Sequence, residues 1–448
     1  MDLFPTTQPD GPWYEIRLQG RLDRRWTAWL NGMTVTPGDG GTTLVRGPVI
    51  DQPALHGLLA RLRDLGIPLI SINQIPAGEA MNPTPPSAPS PQPPGGPDMT
   101  SPSTSTPSRL PPVAGIPRHT LAVTQTVYGS PAALTVSHIP RPVPGAGEVL
   151  VEVHAASVNA RDWHIMRGEP RLARLLDPTI FGRRGPRVPT RGTDLAGIVQ
   201  GVGPGVDEWK VGDSVFGEGI GTFAQHAVAR ADQLAAIPAG IDFDVAAAVP
   251  LAATTASLCI DAADPTPGSS ILINGASGGV GTFAIQLAKS RGLHVTAVVG
   301  TRNVAQAKDL GADRIIDYKS ESVTGGDTYD VAVDLVGNLS LRELRSLLHP
   351  HGALVLSGGG VSGKGRTVGP MRLLIWAQLF SRFSGLRLFM PQATPNTELL
   401  EQLAALIATR EVTPVIDRRF DLEHAADAID YLESEHARAK VVITVTKP

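Results

Sequence analysis

The sequence predicts an α/β protein whose larger part combines a β-rich region with a doubly wound parallel sheet. Short β-like runs such as LAVTQTVYG and VLVEVHAASVN, bounded by Gly and Pro, follow residue 117. From Pro250 onward, apolar strands alternate with amphipathic helices, which is the pattern of parallel βαβ units. A glycine-rich turn joins one of these strands to one of these helices. A small α+β module and a linker precede this body.

The amino-acid composition limits the classes of function that the chain can have. The 448 residues are enough for two to four domains, and with 42% apolar residues they can bury a large core. The net charge of −3 creates no basic field, so we expect no nucleic-acid partner. The single cysteine, Cys259, excludes an intrachain disulfide and a multi-cysteine zinc site. The first residues show no secretory signal, and we expect a cytoplasmic protein.

Residues 11–76 form the predicted amino-terminal module, whose elements follow the order β-α-β-β-α-β. This order is typical of a ferredoxin-like fold. The module carries no catalytic cluster, so dimerisation, regulation and partner docking all stay open as roles. The predicted strands are 14–18, 33–36, 42–45 and 68–72, and the predicted helices are 24–30 and a segment between Asp51 and Gly66.

Residues 77–117 are predicted to be a Pro/Ser-rich disordered linker. Between Pro76 and Pro117 there are 14 prolines in 42 residues, and large apolar side chains are scarce. Such a segment cannot bury enough surface to offset the entropy of ordering. We interpret it as a semi-rigid tether, with a PxxP ligand for a recognition domain as the alternative.

Gly275, Gly278 and Gly281 form a G-x-x-G-x-x-G turn between a predicted buried strand, 271–273, and a helix with an apolar face. A pyrophosphate can approach such a turn closely because no Cβ blocks it. It then contacts the free amides and the positive dipole end of the helix. The strand–turn–helix context favours a dinucleotide site over a turn without a ligand.

The residues after the next predicted strand, 294–299, favour NADP over NAD. NAD-binding proteins usually place an acid about 20 residues beyond the glycines. This chain has Thr301 and Arg302 there, and Arg302 can bind a 2′-phosphate. The alternative is that Arg302 is only a solvated residue at a helix start. The carboxyl ends of the later strands should rim the same crevice. The predicted cofactor contacts are Gly275, Ser277, Gly278, Gly279, Val280, Gly281, Thr301, Arg302, Tyr318, Val336, Gly337, Ser357 and Gly358.

The ordered motifs AASVNARDWH, RGTDLAG, VGDSVFG, AVPLAATTA, INGASGGVG and HARAKVVITV resemble the medium-chain dehydrogenase/reductase superfamily, in its zinc-free quinone-oxidoreductase-like branch. The resemblance covers residues 118–448. It implies a GroES-like substrate domain from residues 118–242 and 386–448, a Rossmann NADP-binding domain from residues 243–385, and an active site in the cleft between them. It also implies that the Thr254-Thr255 pair begins a helix facing the cofactor, which adds Thr255 to the predicted contacts.

The resemblance also indicates whether the chain has the ligands for a catalytic zinc. Zinc-dependent members carry a Cys in the segment that matches SVNARD and a Gly-His-Glu where this chain has Gly192-Thr193-Asp194. A catalytic zinc needs three protein ligands, and His164, Asp162 and Asp194 alone are a poor set for it. We therefore predict no metal.

The predicted catalytic residues are Asn159, Asp162 and His164, because the Asn of a Ser-Val-Asn-x-x-Asp segment lies near the nicotinamide in this branch. The alternatives are an Asx-turn residue, a helix cap and an ordinary partly buried histidine, respectively. No strong general acid is apparent, which suits a quinone or a conjugated enone as hydride acceptor.

The sequence thus predicts a zinc-independent, NADPH-dependent oxidoreductase acting on a quinone, enone or related carbonyl. A zinc-free alcohol dehydrogenase and an NADPH-sensing interaction protein are the alternatives. We expect a small-molecule electrophile as substrate and a homodimer as the assembly to test. The apolar segment 371–390 contains three Arg, which argues against a membrane span.

A chain shortened to begin at Ile116 should fold and bind NADPH, because the linker offers few contacts to lose and each flanking region has its own apolar periodicity. Thermal melting and NADPH titration of the shortened and full chains measure this. A large drop in melting temperature, or lost affinity, would instead place the first module on the enzyme body.

Overall fold

The computed structural model describes two compact units, residues 1–109 and 110–448. The predicted linker, 77–117, lies outside the described residues, as do both helices predicted in the first module. The described residues are 13–19, 33–37, 42–48, 69–75, 118–169, 171, 174, 177, 180–182, 184–358, 386–393, 396–434 and 437–446.

The first unit contains a four-stranded antiparallel sheet in the order β2-β3-β1-β4. Strand β3 lies between β1 and β2 and is antiparallel to both, so β1 and β2 run parallel, as in the split β-α-β arrangement of ferredoxin-like folds. Ile16, Leu18 and Val45 are buried on one face, whereas Glu15 and Arg46 form an ion pair on the other. The four predicted strands are confirmed. They are β1 (Trp13–Gln19), β2 (Thr34–Pro37), β3 (Thr42–Pro48) and β4 (Leu69–Ile75).

The second unit opens with a hairpin and a seven-stranded sheet in the order β11-β9-β8-β7-β19-β18, with β10 also paired to β7. The long strand β7 is central because it pairs with β8, β10 and β19. This is the β-rich region that the sequence predicts. Its strands are β5 (His119–Thr124), β6 (Thr135–Pro140), β7 (Glu148–Val158), β8 (Asp194–Val202), β9 (Ser214–Glu218), β10 (His226–Arg230), β11 (Leu234–Ala236), β18 (Ile416–Asp421) and β19 (Lys440–Thr444).

The second sheet has six parallel strands in the order β14-β13-β12-β15-β16-β17. Counted from β12, this order is 3-2-1-4-5-6, which is the doubly wound Rossmann arrangement. Its strands are β12 (Ser270–Asn274), β13 (His294–Val299), β14 (Arg314–Asp317), β15 (Tyr329–Asp334), β16 (Leu348–Leu356) and β17 (Arg387–Phe389).

Within the described residues of the second unit, helices cover and connect the two sheets. They are α1 (Ala160–Arg167), α2 (Phe243–Ala247), α3 (Pro250–Ala263), α4 (Gly279–Ser290), α5 (Val304–Asp309), α6 (Leu341–Ser346), α7 (Thr397–Ala408) and α8 (Ala425–Ser434).

The predicted domain boundary at residue 386 needs a correction. Strand β17, Arg387–Phe389, pairs with β16 in the parallel sheet, so the chain returns to the β-rich sheet only after residue 389. The three residues lie near the end of the apolar segment 371–390, which the sequence pattern did not resolve into separate elements. Most of that run lies outside the described residues.

One continuous apolar cluster joins the two sheets of the second unit. Ala155 and Phe216 of the β-rich sheet belong to the same buried cluster as Ile271 and Val295 of the parallel sheet. Because this packing is continuous, the carboxyl edge of the parallel sheet is held against one end of the β-rich sheet. Within the part of the chain that the structure describes, no helix is both long and apolar enough to cross a membrane.

Candidate active site

The glycine turn brings a helix end close to the backbone of the strand before it. Gly275 has φ of +86°, which an L side chain rarely adopts. A Cβ on Gly281 would lie 2.3 Å from the Gly275 carbonyl oxygen, so only glycine lets α4 pack here. A Cβ on Gly278 would meet nothing closer than 3.5 Å, which leaves the outer surface of the turn open.

The first amides of α4 directly follow this turn. The first hydrogen bond within the helix runs from the Thr282 amide to the Gly278 carbonyl oxygen. The amides of Gly279, Val280 and Gly281 come before it and have no acceptor inside the helix. Together with Ser277, these predicted residues form a site that fits a pyrophosphate by both hydrogen bonding and dipole.

Three strand ends meet beside this turn. The Asp334 Oδ1 atom accepts hydrogen bonds from Asn274 Nδ2 at 2.9 Å and from the amides of Val336 and Gly337 at 3.0 Å. The Ser357 amide donates to the Asp334 carbonyl oxygen. The structure therefore brings the predicted residues Val336, Gly337, Ser357 and Gly358 to one edge. Asn274 and Asp334, which organise this edge, were missed because a polar residue ending a strand resembles an ordinary cap.

Thr301, Arg302 and Tyr318 lie together at the outer end of the crevice. Thr301 and Arg302 are exposed, and the Tyr318 hydroxyl is 3.1 Å from the position of a Cβ on Gly300. The Lys319 Nζ atom lies 5.3 Å from the Tyr318 ring centroid and adds a second positive group that the sequence analysis missed. Hydrogen bonds from Thr301 and Lys319 lower the pKa of the Asp317 carboxyl, so a negative charge is also present here.

The two threonines of α3 are placed differently. The Thr255 hydroxyl donates to the Leu251 carbonyl oxygen at 2.6 Å, so its hydrogen is used inside its own helix. Thr254 is fully buried, and its Oγ1 atom has no hydrogen-bond partner among the described residues. Thr254 therefore has an unused hydroxyl but no exposed surface, and the cofactor contact of the half-buried Thr255 stays a prediction.

Four neighbouring strands place polar side chains at the adjoining end of the β-rich sheet. Asp194 pairs with Ser157 on one side and with Glu218 on the other. Strand β19 pairs Val441 with Val158, so Lys440 lies opposite Asn159 at the next step of the register. Strands far apart in sequence thus bring these groups together.

The Asn159 side chain is fully engaged in this cluster. Its Nδ2 atom donates to Asp194 Oδ2 at 2.9 Å and to the Ser157 carbonyl oxygen at 3.4 Å. Its Oδ1 atom accepts from Lys440 Nζ at 2.5 Å. The Ser157 hydroxyl also donates to Asp194 Oδ2, at 2.8 Å. The Asn159 side chain is therefore held in one orientation, with its amide hydrogens directed at Asp194 and Ser157.

Asp162 caps α1 and is almost completely buried. Its Oδ2 atom accepts from the Asn159 amide at 2.7 Å. Burial is the largest cause that raises the pKa of Asp162 to about 7. Burial likewise raises the pKa of Glu218 to about 7, although Arg161 lies 3.2 Å away and opposes the shift. Both carboxyls can hold a proton near neutral pH.

His164 makes its contacts at the carboxyl end of α1. Its Nδ1 atom is 3.0 Å from the Glu169 carbonyl oxygen, and its ring stacks on Trp163. Burial lowers the pKa of His164, which favours the neutral ring. These contacts are those of a residue that holds the end of α1, so its predicted role as proton donor stays a prediction.

Lys440 and Glu218 are not among the residues predicted from the sequence, and Asp194 was predicted only as a poor metal ligand. Lys440 lies in HARAKVVITV, where the alternating pattern indicates a strand but not what its first residue contacts. Among the described residues no group of three His, Cys, Asp or Glu side chains could hold a metal ion.

Comparison with known families agrees with this geometry. Residues 145–239 match the alcohol dehydrogenase GroES-like domain, and residues 310–443 match a zinc-binding dehydrogenase domain. Residues 13–73 match a domain of unknown function.

Several curated proteins are similar over most of their length. The chloroplastic quinone-oxidoreductase QR1 of Triphysaria versicolor is 32% identical over 338 residues, which are 72% of this chain and 97% of that protein. The chloroplastic NADPH-dependent alkenal/one oxidoreductase of Arabidopsis thaliana is 31% identical over 74% of this chain and 81% of its own.

Solved structures are similar over the same part of the chain. The quinone oxidoreductase from Coxiella burnetii superposes with a TM-score of 0.64 at 28% identity, covering 73% of this chain and all of the other. A mycobacterial protein, Rv1454c, complexed with NADPH gives a TM-score of 0.60 at 28% identity over 72% of this chain and 99% of its own.

Replacing Asp162 by Asn should change how stability depends on pH. The folded state binds the Asp162 proton more tightly than the unfolded state does, because its pKa rises from 3.8 to about 7. The wild-type chain therefore loses stability relative to Asp162→Asn as pH rises from about 4 to 7, by up to about 1.4 kcal/mol per pH unit. Denaturant unfolding across this range measures the difference. The exposed Asp207→Asn is the control, and parallel curves for Asp162→Asn and wild type would contradict the shift.

Proposed function

Because the chain belongs to the medium-chain dehydrogenase/reductase superfamily, in its quinone-oxidoreductase-like branch, and is an NAD(P)H-dependent oxidoreductase, we propose that it transfers hydride from NADPH to a quinone, enone or related carbonyl without zinc. The amino-terminal module lies outside this family relationship. The names of the relatives support an electrophile as the hydride acceptor. The contacts of Asn159 and Asp162 support a quinone or an enone over a simple carbonyl.

The proposal rests on how close Lys440 lies to the glycine turn. A Cβ on Gly279, at the start of α4, would lie 3.1 Å from Lys440 Cδ, and Lys440 Nζ contacts Asn159. The open amides at the start of α4 and the polar end of the β-rich sheet are therefore separated by one side chain. A dinucleotide whose pyrophosphate binds at α4 is long enough to reach that polar end.

Different groups of residues would bind the pyrophosphate, the nicotinamide half and the 2′-phosphate of such a cofactor. The amides of Gly279, Val280 and Gly281 would bind the pyrophosphate, and the edge formed by Val336, Gly337 and the segment 357–358 would border the nicotinamide half. Arg302, Lys319 and the hydroxyl of Thr301 would bind the 2′-phosphate, and their two positive charges outweigh the one negative charge of Asp317. The bound nicotinamide supplies the hydride.

Two observations favour an acceptor that needs little protonic activation. The Asn159 amide is already satisfied by Lys440, Asp194 and Ser157. Asp162 is buried at the helix start, and its Oδ2 atom accepts a hydrogen bond from the backbone amide of Asn159. A quinone or a conjugated enone delocalises the charge that hydride transfer creates, so it can react with weaker assistance than a simple ketone requires.

Zinc independence rests on charge as well as on ligand type. Asn159 and Thr193 are poor ligands for zinc, which prefers thiolate, imidazole and carboxylate. The Lys440 ammonium is 3.7 Å from Asp194 Oδ2, so a positive charge is already paired with that carboxylate. A divalent cation at this end of the sheet would be repelled by it.

We also propose a cytoplasmic location and a homodimer.

A zinc-free alcohol dehydrogenase and an NADPH sensor with little turnover are the competing functions. Following NADPH oxidation with a panel of quinones, enones, aldehydes and ketones separates them. Turnover of quinones or enones supports the proposal, turnover of simple carbonyls alone favours the dehydrogenase, and saturable NADPH binding without turnover favours the sensor.

Arg302→Ala should weaken NADPH binding and leave NADH binding almost unchanged. Loss of one charge-assisted hydrogen bond should cost about 1.5–3 kcal/mol, or roughly ten- to a hundredfold in affinity. Titration of both nucleotides measures this, with the exposed Arg230→Ala as a matched control. Equal losses for NADPH and NADH would contradict the role of Arg302.

Activity should survive exhaustive chelation, because the polar end of the β-rich sheet offers no zinc ligand set among the described residues. Elemental analysis and assay before and after dialysis against a chelator measure this. Stoichiometric zinc whose removal abolishes activity would overturn the zinc-free assignment.

A further inference from the structure

We propose that Lys440 is a positioning residue, whose buried ammonium group fixes the Asn159 amide relative to the cofactor turn. The proposal rests on the proposed function, because it assigns Lys440 a part in the same site. It concerns a residue that would act through Asn159 rather than by touching the substrate.

The burial of Lys440 needs an explanation. Its side chain is only 2% exposed, although a lysine in a protein interior loses the hydration of its charge. Its Nζ atom is 2.5 Å from Asn159 Oδ1 and 3.7 Å from Asp194 Oδ2. A buried ammonium is retained only where such partners compensate for its desolvation.

These contacts select one orientation of the Asn159 amide. An ammonium group can only donate hydrogen bonds, so the amide oxygen must face Lys440. The amide nitrogen then faces Asp194 Oδ2, which can only accept when it is ionised. Lys440 and Asp194 thus impose the same orientation from opposite sides.

The backbone of Lys440 is fixed from the side of the parallel sheet. The Arg438 carbonyl oxygen accepts a hydrogen bond from Nε2 of Gln306, a residue of α5, at 2.7 Å. The stem of Lys440 lies beside Gly279 at the start of α4. Ala439, between them, has φ of +153°, a conformation that persists only when its surroundings enforce it. The reach of Lys440 therefore sets how far Asn159 lies from the open amides of α4.

This arrangement predicts that loss of the Lys440 ammonium group lowers turnover far more than it weakens NADPH binding. Lys440→Met keeps an unbranched stem beside Gly279 but removes the ammonium group, so the pyrophosphate site is retained and Asn159 is released. We expect the Kd for NADPH to change by less than about threefold and kcat to fall about ten- to a hundredfold, as for other small misplacements in active sites.

A double-mutant cycle provides the decisive test. The full chain is prepared as Lys440→Met, as Asn159→Ala and as both together, with the exposed Lys308→Met as a matched control. If Lys440 acts through Asn159, its kcat loss disappears in the Asn159→Ala background. The melting temperatures of the cofactor-free variants should be non-additive in the same way. Additive losses in kcat, or a folded Lys440→Met with kcat and melting temperature close to those of the unmodified chain, would overturn the proposal.

A second variant keeps the proposal testable if Lys440→Met alone does not fold. Asp194→Asn combined with Lys440→Met removes both members of this ion pair, so neither is left as a buried charge without its partner. It should fold, bind NADPH and show the reduced kcat, and a folded double variant with unchanged kcat would overturn the proposal. If the unmodified chain neither binds NADPH nor reduces any acceptor, the proposed function fails and this inference fails with it. If the unmodified chain is active and the variants match it, only this inference fails.

Discussion

The close approach of α4 to the backbone of its own turn is the constraint on which the site depends. A Cβ at Gly281 would lie 2.3 Å from the Gly275 carbonyl oxygen, so the helix can sit where it does only with glycine there. That position leaves three amides open at the carboxyl edge of the parallel sheet. It also brings Gly279 against the stem of Lys440, which connects the turn to the β-rich sheet.

The charges at the end of the β-rich sheet form a balanced set. Arg191, which is buried and acts electrostatically on Asp162, also belongs to this set. Three carboxyls thus accompany three cationic side chains, and most of these groups are buried; they are Asp162, Asp194, Glu218, Arg161, Arg191 and Lys440. Buried charges persist where opposite charges or hydrogen bonds offset their desolvation. The raised pKa values of Asp162 and Glu218 show that the compensation is incomplete, so the cluster can change its protonation near neutral pH.

The local features of the fold could be predicted from the sequence, whereas the contacts between distant strands could not. Residues 271–281 carry their strand, turn and helix in one continuous stretch, so periodicity and glycine spacing were enough. Asn159 and Lys440 are 281 residues apart and meet only through the register of β7 and β19. No local pattern signals that pairing, and the short strand 387–389 was hidden in an apolar run for a similar reason.

The most direct test of the account is the fate of a deuterium label carried on C4 of NADPH. The fixed geometry between the α4 amides and the Asn159 end of the cleft should expose one face of the nicotinamide to the acceptor. With an accepted quinone or enone, NADPH deuterated on that face should yield unlabelled NADP, and NADPH deuterated on the other face should retain its label, as measured by mass spectrometry. Equal loss from both faces, or no turnover of NADPH with any acceptor, would contradict it.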